Sequence, residues 1–84
     1  MKKNIKPTIC VATVINYMKE ATGDVAHWTT IEIATSIKGM ESKKRIAEQQ
    51  SDEWSGVSGW RIHEKLYTME QVKAMRMELD GMMA

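Results

Sequence analysis

Three consecutive cations, Lys43, Lys44 and Arg45, form the densest group of side chains in this sequence that could recognise a charged ligand. They follow Ser42, and serine favours the N-cap of a helix, so the pattern predicts a helix from about residue 42 to residue 50. Cations in the first turn oppose the helix macrodipole, which favours anions there. The cluster therefore indicates a role beyond helix stability, and lysine and arginine at this position suit contact with DNA bases and phosphates.

A second basic group follows in the segment Trp60–Tyr67, where apolar and polar residues alternate as in a half-buried strand. Its polar face can contact the phosphate backbone of DNA, and a glutamine in the preceding helix can pair with adenine. A solvated helix face and an ordinary exposed strand remain the alternative interpretations. The candidate DNA-binding residues are Ser42, Lys43, Lys44, Arg45, Gln49, Arg61, His63 and Lys65.

Catalytic and metal-binding patterns are weak. Cys10 lies among apolar neighbours, which is typical of a small core residue rather than a nucleophile. His27 and His63 are far apart in the chain and have no cysteine near them, so they lack the spacing of a zinc site. No glycine-rich phosphate loop is present. We therefore expect a protein that is not an enzyme and that has no cofactor or metal.

The elements that would position these residues are predicted from periodicity and capping. A stripe of apolar residues over 8–22 predicts a first helix, which Gly23 closes. The sequence Thr29-Thr30-Ile31-Glu32 has the form of a capping box and predicts a short second helix that ends at Gly39. Thr68-Met69-Glu70-Gln71 repeats that form and predicts a C-terminal helix over 68–84.

The order helix, helix, helix, strand, helix predicts a mainly helical α+β domain. Over residues 9–67 this pattern of elements resembles the small winged helix-turn-helix transcriptional regulators of bacteria and phages. The resemblance implies three helices, a short wing hairpin and a C-terminal helix, with the third helix in the major groove and the wing on the phosphate backbone. It places Lys43, Lys44, Arg45 and Gln49 in recognition and Arg61 and Lys65 in the wing. Ala34 precedes Gly39 by one residue more than in the simple helix-turn-helix pattern, which predicts a longer turn.

Length, net charge and cysteine content limit the number of domains, the kind of nucleic-acid site and the expected compartment. A chain of 84 residues predicts a single domain over 1–84, and its basic segment 1–7 is expected to be a flexible tail. The formal net charge is only +1, so a nucleic-acid site would require local segregation of charge. No apolar stretch approaches the ~18 residues that span a bilayer, so we expect no membrane association. A lone cysteine favours a reducing compartment, so the cytoplasm is expected.

The C-terminal helix supports a second hypothesis. Its apolar seam is rich in methionine, which suits adaptable interfaces, so the seam is a candidate dimer or partner interface. Trp54, beside acidic residues, is a candidate anchor for a protein partner. The first hypothesis is thus a dimeric regulator on double-stranded DNA; the alternative is a small inhibitor or antirepressor-like module that sequesters another regulator. The seam residues are Met69, Val72, Met75, Leu79 and Met82.

Overall fold

A computed structural model describes residues 6–83 of the chain, and their side chains as far as Gly81. This part of the chain forms one three-stranded antiparallel sheet and two helices, with more residues in strands than in helices. The elements in chain order are β1 (Cys10–Lys19), β2 (Val25–Ala34), α1 (Ile37–Gln50), β3 (Ser55–Ile62) and α2 (Met69–Met83).

The sheet has the order β2-β1-β3, so the first strand of the chain is its central strand. β1 and β2 form a hairpin that pairs without interruption from Cys10 opposite Ala34 to Lys19 opposite Val25. Gly23 lies in the hairpin turn with a φ of 95°, a conformation that side chains with a Cβ rarely adopt. β3 is antiparallel to β1 on its other side, so α1 carries the chain across β1 between two parallel strands.

A helix covers each face of this sheet. On the face under α1, Cys10, Ala12 and Val14 pack with the fully buried Met40 of the helix. On the opposite face, Val11 packs with Tyr67 and with Val72 of α2. We call these the α1 face and the α2 face. β1 is therefore buried on both sides over its first half, and the domain consists of three layers.

This burial explains why the predicted first helix is wrong. A strand with one buried face alternates between apolar and polar residues, but a strand buried on both faces presents a continuous apolar run. Residues 10–15 form such a run, and its β-branched members Val11, Thr13, Val14 and Ile15 favour a pleated strand. When apolar residues are continuous, those at helical spacing are apolar as well. The run therefore also produced the apolar stripe from which a helix was predicted.

The predicted second helix is wrong as well, since residues 29–34 belong to β2. Thr29 and Glu32 are strand residues, and the helix that follows starts at Ile37 with Ser36 as its N-cap. The Gly39 N–H donates a 3.0 Å hydrogen bond to Ser36 Oγ, so Gly39 lies inside the first turn rather than ending a helix. With strands over 10–34 the described residues contain no helix-turn-helix, and the predicted mainly helical winged-helix fold is wrong.

The later elements were predicted more closely. Trp60 and Ile62 lie on the α1 face, whereas Arg61 pairs with Thr13 on the α2 face, as the alternation predicted. β3 begins earlier, at Ser55, and ends at Ile62. The predicted turn over 55–59 is therefore part of β3, and Leu66 is exposed beyond the end of the strand.

The C-terminal helix is confirmed together with its cap. The Thr68 N–H donates to Gln71 Oε1 over 2.9 Å, and the Gln71 N–H donates to Thr68 Oγ1 over 3.2 Å. This reciprocal pair is a capping box, which satisfies two of the N–H groups that a helix start leaves unpaired. Over the described part of the chain, neither helix is long and apolar enough to cross a membrane.

Candidate functional site: the free edge of β2 and the His63 cleft

β2 lies at the edge of the sheet, and within residues 6–83 its only strand neighbour is β1. In an antiparallel pair, alternate residues bond to the neighbour, and the residues between them direct their N–H and C=O groups outward. On β2 the outward set includes Ile33, because the Ile33 carbonyl oxygen accepts a 2.7 Å hydrogen bond from Lys43 Nζ of α1. By this alternation the outward residues are Val25, His27, Thr29, Ile31 and Ile33.

Two cavities of about 460 Å³ each flank this edge. The first lies beside residues 28–31 of β2, and its other wall is α2, through Leu79 and the charged side chains of Arg76 and Asp80. We call it the upper cavity. It combines an apolar wall with one cation and one anion.

The second cavity, which we call the lower cavity, lies beside residues 33–35 and has a mostly apolar lining. Ile9, Ile33 and Ala34 contribute to it from the sheet side, and Met69 contributes from the start of α2. Lys43 lies at its rim, 3.7 Å from Glu32 Oε2, in an ion pair whose partners are both about half exposed. Such a pair contributes at most about 1 kcal/mol to stability. It therefore holds Lys43 only weakly over this end of β2.

The other edge of the sheet is built differently. β3 contains Gly56 and Gly59, and its register with β1 shifts between Ile15 and Asn16. Glycines and irregular register disfavour the addition of a further strand. β2 has ten residues in unbroken register, no glycine or proline, and Glu32 as its single charged residue. Of the two edges, β2 is the one that can template a new strand.

The predicted DNA-binding residues lie on opposite faces of the sheet. Ser42, Lys43, Lys44 and Arg45 lie in the middle of α1 rather than in its first turn, and Gln49 follows near its end. The structure brings the Lys43 ammonium group to the edge of β2, where its side chain is about half exposed. Arg45 and Gln49 are exposed.

The remaining predicted DNA-binding residues lie on the side of the sheet opposite α1. Arg61 is on the α2 face, His63 bonds to Thr13 there, and Lys65 lies in the following loop with its Nζ 5.0 Å from the centre of the Tyr67 ring. The sheet therefore separates these residues from the cations of α1. The helix and wing geometry that assigned their roles is not present in the described residues, and DNA binding itself stays a prediction.

His63 is the centre of a short hydrogen-bonded chain on the α2 face. Its Nε2 lies 2.7 Å from Thr13 Oγ1, and its Nδ1 lies 2.7 Å from the Tyr67 hydroxyl. Burial lowers the pKa of His63 below 6.5, and the nearby charges of Arg61 and Lys65 lower it further. The imidazole is therefore neutral at pH 7, with one nitrogen donating and the other accepting.

A cleft of about 170 Å³ opens beside this chain, between the sheet and α2. Thr13 and His63 contribute polar groups to it, and Glu78 contributes a carboxylate from α2. We call this the His63 cleft. Its apolar lining residues are Ile31, Met75 and Leu79.

Sequence reasoning missed both sites because it assigned helices to the strands that form them. The edge depends on Thr29, Ile31 and Ile33, whose β-branched side chains at alternate positions were a usable signal for a strand. Thr13 carried no signal, because its pairing with His63 joins residues that are distant in sequence.

The seam of the C-terminal helix is partly used within the domain. Val72 is fully buried and Met75 is half-buried, and both pack on the sheet of their own chain. Leu79 is half-buried and lines the upper cavity and the His63 cleft. Met69 is 45% exposed, and the side chain of Met82 lies outside the described residues. A dimer or partner contact through this helix stays a prediction.

Trp54, the other predicted anchor, is 56% exposed beside Lys19, whose Nζ lies 5.2 Å from the ring centre. Its role toward a partner also stays a prediction. Within residues 6–83, no three histidine, cysteine, aspartate or glutamate side chains are grouped so that they could hold a metal ion.

Comparison with known proteins gives no assignment. No family model, curated protein or solved structure matches the chain.

Proposed function

We propose that this protein is an interaction module that binds an extended segment of a partner protein along the free edge of β2. The observation that carries the proposal is the unbroken ten-residue register of β2 beside two cavities. Edge strands that pair with other chains supply backbone hydrogen bonds for affinity and pockets for side-chain specificity. β2 has both features.

The chemistry of the cavities specifies the segment. In a strand added to β2, successive side chains point to opposite faces of the extended sheet. Near residues 33–35 the apolar lining of the lower cavity suits an aliphatic or aromatic side chain. Near residues 28–31, Arg76 and Asp80 suit a polar side chain. The expected ligand is a short extended peptide with at least one large apolar residue.

Lys43 has a defined part in this scheme. Its Nζ donates a hydrogen bond to the outward carbonyl oxygen of Ile33. A new strand would need that oxygen as an acceptor. Because Lys43 is about half exposed, its ammonium group can move into water when a peptide N–H replaces it. Lys43 therefore protects the edge in the free protein, as edge lysines commonly do.

The test uses ten-residue peptides selected from a random displayed library against the folded protein. Thr29→Pro removes an outward N–H, and an edge strand tolerates proline at such a position because the lost donor does not face β1. We expect the variant to fold and to bind the selected peptides at least about tenfold more weakly, since it loses a hydrogen bond worth about 1 kcal/mol and meets the proline ring. Thr29→Val keeps the N–H and is the matched control.

Amide hydrogen exchange with bound peptide locates the contact. Added protection should appear at the outward N–H groups of β2, such as those of Thr29 and Ile31. Enrichment of no peptide, or added protection confined to other elements, would contradict the proposal. Equal peptide affinity of the proline and valine variants would also contradict it.

A further inference from the structure

The His63 cleft lies on the α2 face and shares Ile31 and Leu79 with the upper cavity, but the proposed function does not use its polar groups, Thr13 and His63. It combines an apolar lining with a few convergent polar groups, which is the usual composition of a small-molecule site. We propose that the His63 cleft binds a small neutral molecule that has an apolar part the size of one aromatic ring and a single hydroxyl group.

The volume of the cleft sets the size of this ligand. A cavity of ~150 Å³ lined by aliphatic residues holds benzene. The His63 cleft has about 170 Å³, so it accommodates one ring and a small substituent. Ile31 contacts such a ring from the sheet, and Met75 and Leu79 contact it from α2.

The hydrogen-bonded chain requires a polar group on the ligand. Both nitrogens of His63 are already engaged, by Thr13 and by Tyr67. Within the described residues the Thr13 hydroxyl has His63 as its one hydrogen-bond partner, so it keeps a further donor or acceptor site. Thr13 is therefore the group that can bond to a ligand.

Thr13 can donate a hydrogen bond to a ligand or accept one from it, depending on which nitrogen of His63 carries the proton. When Nε2 carries the proton, it donates to Thr13 Oγ1, and the Thr13 proton is then available to the cleft. When Nδ1 carries the proton, it donates to the Tyr67 oxygen, and Thr13 donates to Nε2 and accepts from the ligand. A hydroxyl group, which both donates and accepts, matches either state.

Glu78 also lines the cleft, and its exposed side chain places a negative charge near the opening. Arg61 and Lys65 lie near His63 with the opposite charge, so the surroundings of the cleft carry both signs. A carboxylate ligand of the same size is disfavoured because it would lose its hydration on entering the apolar lining. The cleft therefore selects an alcohol over the hydrocarbon through Thr13, and over the acid through the cost of desolvation.

Benzyl alcohol, toluene and benzoate are matched probes for this proposal. Each is titrated into the isotopically labelled protein while backbone and methyl resonances are followed by NMR. We expect saturable shifts at Thr13 and Met75, which line the His63 cleft and not the upper cavity, with benzyl alcohol. Toluene and benzoate should each bind more weakly by about fivefold or more.

Thr13→Val separates the hydroxyl from the shape of the side chain. The variant should bind benzyl alcohol no better than toluene, while the exposed turn variant Thr22→Val keeps the wild-type preference. If benzyl alcohol causes no shifts at the cleft, or if toluene or benzoate binds to the wild type as tightly as benzyl alcohol, the proposal is overturned. Loss of peptide binding at β2 would not affect these measurements, so the two proposals fail separately.

Discussion

At the scale of single residues, the most informative group is His63, which the sequence placed on the solvent face of a wing. It is instead half-buried between Thr13 and Tyr67, at 2.7 Å from each hydroxyl oxygen. Burial and the charges of Arg61 and Lys65 depress its pKa in the folded protein. His63 therefore links the sheet to Tyr67 through hydrogen bonds and also lines the His63 cleft.

The depressed pKa of His63 links stability to pH. The unfolded chain takes up a proton near pH 6.5, and the folded protein takes it up only at lower pH. The free energy of unfolding should therefore be highest above pH 6.5 and fall as the pH decreases through the folded pKa.

Urea denaturation between pH 7.5 and pH 5 measures this effect. His63→Gln should weaken the decrease, and His27→Gln, at an exposed position of β2, should retain it. A decrease of the same size in the His63 variant would contradict the assignment, since carboxylates would then account for it.

At the scale of elements, β3 and the end of α1 are joined by a close backbone approach. A Cβ at Gly56 would lie 2.7 Å from Ser51 Cα and closer still to Ser51 Cβ. The Ser51 hydroxyl also accepts a 3.0 Å hydrogen bond from the Val57 N–H and donates to the Ala47 carbonyl oxygen. The position of α1 over the sheet thus depends on glycine at residue 56.

Gly56→Ala should lower the free energy of unfolding by about 1–3 kcal/mol, because backbone atoms must shift to admit the new methyl group. Gly81→Ala is the matched control. A Cβ there meets no atom within 4 Å, and alanine is favoured over glycine in a helix by about 1 kcal/mol. Denaturation of both variants measures the difference, and a neutral Gly56→Ala would show that α1 can move away at no cost.

At the scale of the whole molecule, the arrangement of layers decides where charge is displayed. The domain is flat, with extents of 57 × 31 × 14 Å, and the sheet separates the cations of α1 from Arg61 on the α2 face. Within residues 6–83, the basic residues that the sequence suggested are divided between the two faces of the sheet, and the net charge of the full sequence is only +1. Electrostatic attraction to a phosphate backbone grows with the number of cations that reach it together.

We therefore expect duplex DNA to bind weakly, with little dependence on salt. Titration of the protein against a DNA duplex at ~50 mM and ~200 mM salt tests this, because each phosphate contact adds to the salt dependence. Tight binding that weakens steeply with salt, and that Lys44→Ala with Arg45→Ala abolishes, would favour the DNA-binding regulator over the interaction module.

By itself, the sequence determined the features that depend on neighbouring residues. The capping box at Thr68, the helix after it, and the opposite facing of Trp60 and Arg61 follow from local hydrogen bonds and alternation. The even charge balance was also visible from composition. These features do not require knowledge of what packs against them.

Only the tertiary structure decided that residues 10–19 form a strand rather than a helix. The first half of this central strand is buried between two helices and has no solvent-exposed face, so its sequence lacks the alternation that identifies a strand. The same packing created both sites. The free edge of β2 exists because no strand within residues 6–83 pairs beyond it, and the His63 cleft exists because the sheet brings Thr13 to His63 across fifty residues of chain.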